Sequence, residues 1–320
     1  MKRGNRERPG RQMRDVYAST LIEMAEKDPN IVILEADLMA AHGTKAFQDK
    51  FPDRAFNVGV AEANMVGIAA GLSLTGKTPF AATFGCFAAR RAYDQFFVSA
   101  NFADLNVKLV GTDPGIIATY NGGTHMPFED TGLMRNIPNL VVFEPCDPVS
   151  LRELMYESAY HPGCTYMRLP RKDCAFVYDE GEKFQLGRGK VLVDGADIAI
   201  FASGSVLVNE ALKAADILKK ENIGAAVIDM HTIKPIDEEL VVEYADKTNA
   251  VLTCENHLIY NGLGSAVAEV LCEKRPTRMK RIGVKDEFGE VGELEYLQKR
   301  YGLTADEITT QAKLLVESKS

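Results

Sequence analysis

A single carboxylate stands at the start of a long apolar segment early in the chain. Glu62 follows residues 57–61 (NVGVA) and opens a stretch to Leu74 that is rich in Ala, Met and Ile. A buried carboxyl group without a cationic partner has a raised pKa, so it can hold or move a proton near neutral pH. The pattern also fits a charge that only favours the positive end of a helix dipole. The spacing alone leaves both interpretations open.

Two aromatic residues and a glycine-rich segment are further candidates for a ligand site. Phe84 and Phe87 stand three residues apart at a predicted strand-to-helix junction, where they either form a stacking wall for a flat ring or pack a core. Residues 121–125 (NGGTH) let the backbone approach a ligand and end in His125, although a plain turn fits equally well. Residues 262–264 (GLG) lack the third glycine of a dinucleotide fingerprint and are interpreted as a helix-packing turn.

The elements that position these residues follow from the hydrophobic pattern. Short apolar runs alternate with amphipathic stretches, which is typical of a parallel sheet flanked by helices. The predicted strands span 31–34, 78–84, 107–111, 140–143 and 163–169. The predicted helices span 14–27, 61–74, 87–101 and 148–160, the last with Asp147 as N-cap and Pro148 at its first position.

A second alternation follows a polar, irregular stretch over residues 171–189. Strands are predicted at 197–201, 225–229 and 251–255, and helices at 206–220, at 263–273 and after a Thr304/Glu307 capping box. We therefore predict an α/β protein of two domains, each a mostly parallel sheet flanked by helices. The expected limits are a disordered basic tail over 1–12, a first domain over 13–180, a linker over 181–190 and a second domain over 191–320.

Composition excludes several classes of function. The formal net charge of −8 and the sequence pI near 5.3 argue against a nucleic-acid-binding surface. No apolar run reaches the roughly 18 residues that a membrane span requires. The six cysteines are scattered without a CxxC pair, which favours a reducing compartment and gives no metal site. We expect a cytoplasmic protein without metal ligands of its own.

Taken together and in order, these segments resemble the transketolase family, specifically the C-terminal subunit of split transketolases. The resemblance runs from about Arg14 to Leu315. It is carried by residues 35–38 (EADL), 56–62 (FNVGVAE), 67–71 (GIAAG), 83–87 (TFGCF), 91–95 (RAYDQ), 124–125 (TH), 230–237 (MHTIKPID) and 262–269 (GLGSAVAE). It implies a pyrimidine-binding domain followed by a transketolase C-terminal domain.

The resemblance also implies a cofactor, thiamine diphosphate. Glu62 matches the glutamate that hydrogen-bonds the aminopyrimidine ring, whose imino form can then remove the proton from C2 of the thiazolium ring. Phe84 and Phe87 match aromatic residues that line the pyrimidine. Arg90 falls where many transketolases have tyrosine and related synthases have arginine. Asp37 and Leu38 complete the expected cofactor-binding set.

A partner is implied by what these 320 residues lack. Complete thiamine enzymes carry a Gly-Asp-Gly motif with a downstream Asn, which holds the Mg²⁺ that clamps the diphosphate. By resemblance, a separate N-terminal subunit supplies this motif. The expected assembly is an α₂β₂ heterotetramer with self-dimerisation of this chain, and we expect the chain alone to be inactive.

The expected substrate residues match the family only in part. His125 matches a histidine at the reacting end of the sugar, and Arg14 with Arg168 or Arg171 matches arginines that bind the sugar phosphate. Two residues depart from the family: Asn121 replaces an aspartate, and Asp113 replaces a phosphate-contacting histidine. Residues 39–42 (MAAH) replace the usual serines. A carboxylate is unfavourable beside a phosphate dianion, so we hypothesise a modified, branched or sulfonated sugar. The alternative is that His42 compensates for the missing contacts.

Three other functions share the same pyrimidine domain. They are the beta subunit of a 2-oxo acid dehydrogenase, a deoxyxylulose-phosphate-synthase-like enzyme and a non-catalytic paralogue. The loop over 112–125 and the arginines after the strand at 163–169 favour sugar phosphates over oxo acids. The joint presence of Glu62, Phe84 and Phe87 argues against a non-catalytic subunit.

Overall fold

The computed structural model describes residues 9–319. The predicted disordered tail lies outside the described residues up to residue 8. For residues 11–12 the prediction of a disordered tail is wrong, because Arg11–Gln12 is a short strand that pairs antiparallel with Asp173–Cys174. Backbone hydrogen bonds therefore join residues 171–174 to residues 11–14.

The first domain is built on a seven-stranded sheet whose central strands are buried except at Phe84, the last residue of its strand. Such continuous apolar runs are typical of parallel strands covered on both faces. The strand order is Thr232–Lys234, Val141–Phe143, Thr165–Leu169, Lys108–Thr112, Thr78–Phe84, Ile31–Glu35 and Ala55–Asn57. All pairings are parallel except that of Thr232–Lys234 with Val141–Phe143.

Helices cover both faces of this sheet. The α-helices are Met13–Lys27, Met39–His42, Lys45–Lys50, Glu62–Leu74, Gly85–Arg90, Tyr93–Gln95, Asp130–Arg135 and Pro148–Tyr160. Short 3-10 turns lie at Pro52–Arg54 and Gly115–Asn121. The predicted N-cap is confirmed, because the side chain of Asp147 accepts the N–H of Ser150 at 2.7 Å.

The predicted continuous helix over 87–101 is wrong. It breaks after Arg90, resumes as one turn at Tyr93–Gln95 and continues as a π-helix at Phe96–Asn101. The break falls at Ala92, which is buried with non-helical dihedral angles (φ −103°, ψ 4°). A π-turn accommodates an extra residue in a helix, and here it lets Phe96 and Ala100 stay in the core.

The second domain contains a five-stranded sheet. Its order is Met279–Val284, Val251–Leu258, Ile198–Ala202, Ala225–Asp229 and Lys190–Val193, and only Lys190–Val193 runs antiparallel. The flanking helices are Gly204–Lys220, Glu238–Thr248, Leu263–Lys274, Leu294–Tyr301 and Ala305–Glu317. The two-domain α/β architecture with mostly parallel sheets is thus confirmed. At Leu263–Lys274 the predicted helix-packing turn is also confirmed, because Glu255 accepts the N–H groups of Leu263 and Gly264.

The two domains share structural elements across the predicted linker. Thr232–Lys234 belongs to the second half of the chain but forms an edge of the first sheet. Within the predicted linker over 181–190, Phe184 is buried against Tyr178, and Lys190 already opens a strand. Among the described residues, no helix is both long and apolar enough to cross a lipid bilayer.

Candidate active site

Parallel strands bring the candidate residues to one edge of the first sheet. Glu35, Phe84 and Thr112 are the last residues of three adjacent strands; Phe84 pairs with Thr112, and Glu35 pairs with Ala82, two residues before Phe84. The carboxyl ends of parallel strands form the crevice in which open α/β sheets bind ligands. Segments 36–38, 85–90 and 113–125 therefore start from the same edge.

Glu62 is the first residue of its helix and is only 4% exposed. Nη1 of Arg91 lies 3.1 Å and 3.3 Å from the two carboxylate oxygens of Glu62. The guanidinium of Arg91 also stacks 3.9 Å from the ring centre of Phe87. Glu62 therefore has a cationic partner, whereas the sequence analysis considered a buried carboxyl group without one.

Three aromatic rings form a cluster beside Glu62. The ring centres of Phe84 and Phe87 are 6.1 Å apart, and that of His125 lies 5.8 Å and 5.2 Å from them, each pair edge to face. All three side chains are partly exposed. Nδ1 of His125 lies 2.9 Å from the hydroxyl of Thr124. The structure thus brings together residues that are up to 41 positions apart in the sequence.

Arg90 connects this cluster to the glycine-rich loop. Its Nη2 donates to the carbonyl oxygen of Thr124 at 2.7 Å, and its Nε donates to that of Cys86 at 3.2 Å. A further contact of 3.4 Å joins Nε to Glu129. Arg90 therefore fixes the backbone that carries His125.

Asp37 contacts Asn57, which lies five residues before Glu62, and Leu38 follows Asp37. The side chain of Asn57 accepts the N–H of Asp37 at 3.0 Å and that of Gly59 at 3.1 Å. Asp37 adopts a left-handed backbone conformation (φ +64°), which Asp tolerates better than most residues. These contacts hold the turn that leads into Glu62, and Leu38 is partly buried beside it.

Four of the residues expected to contact the substrate are described first: Arg14, Asp113, Asn121 and Arg171. Arg171 donates from Nε to Oδ2 of Asp113 at 2.8 Å, with Nη2 bonded to the same oxygen, and its guanidinium lies 5.0 Å from the ring centre of Phe84. Arg14 and Arg171 line one cleft of about 580 Å³ next to this pair. Asn121 is exposed at the end of the turn Gly115–Asn121.

Arg168 does not belong to the site. It is 1% exposed, and its three nitrogens donate to Asp130, Glu144 and the carbonyl oxygen of Asn256 at 2.8–3.0 Å. The prediction that Arg168 contacts substrate is wrong, because its donors are used between the two domains. Of the two arginines that the sequence left open, only Arg171 reaches the candidate site.

A buried polar cluster below Phe84 was not predicted. Nδ1 of His42 lies 2.7 Å from Glu35, and its Nε2 lies 3.1 Å from the hydroxyl of Thr112. The hydroxyl of Thr44 donates to the other oxygen of Glu35 at 2.6 Å. Both ring nitrogens of His42 are used inside the protein, so His42 does not replace the missing serines as a direct contact. The sequence does contain one signal for this cluster. Glu35 is a charged residue at the end of an apolar strand, and a buried charge requires a hydrogen-bonding partner.

Gly115 lets the second domain hold the loop that leads to His125. The side chain of Asn256 accepts the N–H of Ile116 at 3.0 Å and donates to the carbonyl oxygen of Pro114 at 2.9 Å. Gly115 has φ +54°, and a Cβ there would lie 2.1 Å from Oδ1 of Asn256.

Gly115→Ala is expected to lower the free energy of unfolding by about 1–3 kcal/mol more than Gly163→Ala, because only the first forces Asn256 away from the loop. Gly163 also has positive φ (+97°), but a Cβ there meets nothing within 4 Å. Urea unfolding of both variants measures the difference. Equal losses would show that Asn256 does not hold the loop.

Comparisons with known proteins identify both domains. The transketolase pyrimidine-binding domain matches residues 10–175, and the transketolase C-terminal domain matches residues 187–308. The chain is 49% identical over 308 residues to the 6-deoxy-6-sulfo-D-fructose transketolase subunit SqwH of Clostridium sp. (strain MSTE9), covering 96% of this chain and 95% of that protein. It is 38% identical over 301 residues to a 1-deoxy-D-xylulose-5-phosphate synthase of Syntrophotalea carbinolica, covering 93% of this chain and 47% of the synthase.

A solved structure is similar over the whole fold. The structure titled "Split gene transketolase, inactive beta4 tetramer" has a TM-score of 0.90 and 42% sequence identity, over 96% of this chain and 99% of that chain. The matches therefore cover both domains in the order that the sequence predicts. The chain belongs to the transketolase family and carries the two domains that form the C-terminal subunit of split transketolases.

Proposed function

We propose that this chain is the pyrimidine-binding subunit of a two-chain, thiamine-diphosphate-dependent transketolase that transfers a two-carbon ketol unit between sugars. The observation that carries the proposal is Glu62, a buried carboxyl group beside the partly exposed cluster of Phe84, Phe87 and His125. An aminopyrimidine ring needs an apolar surface for its faces and a carboxyl group for its ring nitrogen, and these side chains provide both.

When bound, thiamine diphosphate supplies the carbon nucleophile that breaks and forms the carbon–carbon bond. The contribution of this chain is to hold a proton on the carboxyl group of Glu62 and to donate it to the pyrimidine. In the structure, Nη1 of Arg91 lies within hydrogen-bond distance of both carboxylate oxygens of Glu62. Arg91 therefore has to leave Glu62 and the face of Phe87 before Glu62 can act in this way.

His125 is the candidate for proton transfer at the sugar. Its Nδ1 is bonded to Thr124, which leaves Nε2 for a hydroxyl or carbonyl oxygen of the substrate. The hydrogen bond from Arg90 to the carbonyl oxygen of Thr124 holds this loop against the aromatic cluster. A fixed imidazole beside the reacting carbon is suited to general acid–base work.

A partner subunit completes the site in this proposal. Among residues 9–319, no group of three or more His, Cys, Asp or Glu side chains is arranged to hold a metal. We therefore assign the Mg²⁺ and diphosphate ligands to an N-terminal subunit, in an α₂β₂ assembly. The apolar face along the Glu62 helix supports an interface there, since Val60 and Leu74 are each at least 70% exposed.

We propose a sugar with a terminal sulfonate as the substrate. The relative at 49% identity is named for 6-deoxy-6-sulfo-D-fructose. The replacement of a histidine by Asp113 beside Arg171 supports the same class of substrate, because the added negative charge opposes a phosphate dianion more strongly than a sulfonate monoanion.

Reconstitution tests this proposal. The chain alone is expected to be inactive, whereas its mixture with the N-terminal partner subunit, thiamine diphosphate and Mg²⁺ should transfer the ketol unit from 6-deoxy-6-sulfofructose to an aldose phosphate. Mass spectrometry of the released four-carbon sulfo-aldehyde measures this transfer. Release of CO₂ from pyruvate instead would assign the chain to synthase-type chemistry, and transfer by the chain alone would contradict the two-chain arrangement. An inactive mixture would favour the non-catalytic paralogue.

A further inference from the structure

The carboxylate of Asp113 forms an ion pair with Arg171 and neutralises its charge. Two nitrogens of Arg171 bond to Oδ2 of Asp113, and Nη1 lies 3.5 Å from the carbonyl oxygen of Ala41. Asp113 is 2% exposed, and its Oδ1 is buried without a hydrogen-bond partner among the described residues. An unpaired buried acceptor lowers the stability of the fold, so a stabilising role does not account for Asp113 at this position.

The cleft beside this pair carries a small positive charge. Its lining residues are Gln12, Arg14, Arg171, Lys172, Asp173 and Leu294. Lys172 donates to the hydroxyl of Thr119 at 3.1 Å, a neutral partner, and Arg14 makes a 3.8 Å contact to the exposed Asp15. Three of the lining residues are cations: Arg14, Arg171 and Lys172. Asp173 in the lining and Asp113, which is bonded to Arg171, carry one negative charge each, so the formal charge of the cleft is +1.

Charge is the property that best separates a sulfonate from a phosphate. Both groups are tetrahedral and offer three acceptor oxygens. A sulfonate is a monoanion at every physiological pH, whereas a phosphate ester carries a charge of about −1.5 to −2 at pH 7. A cleft of charge +1 therefore matches the sulfonate, and the carboxylate behind Arg171 repels the second charge of the phosphate.

We infer that Asp113, acting through Arg171, selects a monoanionic terminal group on the sugar and rejects a phosphate dianion. This inference rests on the proposed function, and it assigns to Asp113 a role in specificity. Arg171 offers the anion the N–H groups that it does not donate to Asp113, and Asp113 sets the charge that Arg171 presents.

Asp113→Asn in the reconstituted two-chain enzyme tests the inference. Asn removes the charge but tolerates the left-handed backbone at this position (φ +55°). We expect kcat/KM for fructose 6-phosphate, relative to that for 6-deoxy-6-sulfofructose, to rise by roughly tenfold. Should this variant fail to fold, Asp113→Gly removes the same charge at a φ that glycine adopts freely, with the same expected result.

Glu26→Gln is the control, because it removes one negative charge from a half-exposed side chain that pairs with Lys50 and does not line this cleft. Its effect on the ratio should stay below about twofold, since exposed charges are screened. A ratio unchanged by Asp113→Asn, or shifted equally by both variants, would overturn the inference while leaving ketol transfer intact. Absence of transfer from every sugar by the wild-type enzyme would overturn the proposed function, and the inference with it.

Discussion

Glu62→Gln is expected to lower ketol transfer by the reconstituted enzyme by about 10²–10³-fold, because an amide cannot carry the proton that the carboxyl group donates. Gln has nearly the same shape, and it can still accept a hydrogen bond from Arg91 in place of the carboxylate. The subunits should therefore assemble as in the wild type. Initial rates with a saturating ketose donor, together with size-exclusion chromatography, measure both properties.

Glu26→Gln is a suitable control for this prediction. Glu26 is a half-exposed residue of the helix Met13–Lys27 that pairs with Lys50 on the surface. Loss of this exposed pair should change stability by less than about 1 kcal/mol and leave transfer unchanged. If Glu62→Gln retained transfer within a few-fold of the wild type, Glu62 would be a helix-end charge and not a proton donor.

Arg168→Met is expected to destabilise the protein by about 3–5 kcal/mol, because it leaves two buried carboxylates without their cation. Asp130 and Glu144 each accept a hydrogen bond from Arg168 at 2.8 Å, and all three side chains are at most 2% exposed. Met has a comparable volume, so the loss of charge dominates over the loss of packing. Urea unfolding followed by two spectroscopic probes measures the change and shows whether both domains unfold together.

The pH dependence separates the loss of charge from the loss of shape. Burial raises the pKa of Glu144 even with Arg168 present, and removal of the cation should raise it further. A carboxyl group whose pKa is raised in the folded state destabilises the fold at pH values above that pKa, so the loss in Arg168→Met should shrink as the pH falls. Arg152→Met, which breaks only partly exposed pairs with Glu23 and Glu153, should cost about 1 kcal/mol or less at any pH. A similar loss in both variants would contradict the role of Arg168 at the domain interface.

Five of the seven strands of the first sheet were predictable because they are short, apolar and buried over nearly all of their length, whereas the two edge strands Ala55–Asn57 and Thr232–Lys234 were missed. The strand Thr78–Phe84 and the helix Pro148–Tyr160 match their predicted limits. The break after Arg90 was not predicted, since residues 87–101 keep an apolar pattern that fits an unbroken helix. The helix Glu238–Thr248 was missed although Asp237 gives an N-cap signal, and its side chain does accept the N–H of Leu240.

The contacts within the site were less predictable than its members. Arg91 stands 29 positions from Glu62, and nothing in the local pattern pairs them. Arg168 and Arg171 are three residues apart, yet one lies within a buried strand and the other follows its end. Burial and direction decide which arginine faces the cleft, and both depend on the packing of the second domain against the first.

The most direct test of Glu62 as the group that activates the cofactor is proton–deuterium exchange at C2 of thiamine diphosphate. The rate is followed by quenched-flow NMR in the wild-type complex, in the Glu62→Gln complex and with this chain alone. We predict fast exchange in the wild-type complex, a loss of about 10²-fold or more in the Glu62→Gln complex, and no acceleration with the chain alone. Exchange in the Glu62→Gln complex as fast as in the wild type would contradict the role of Glu62.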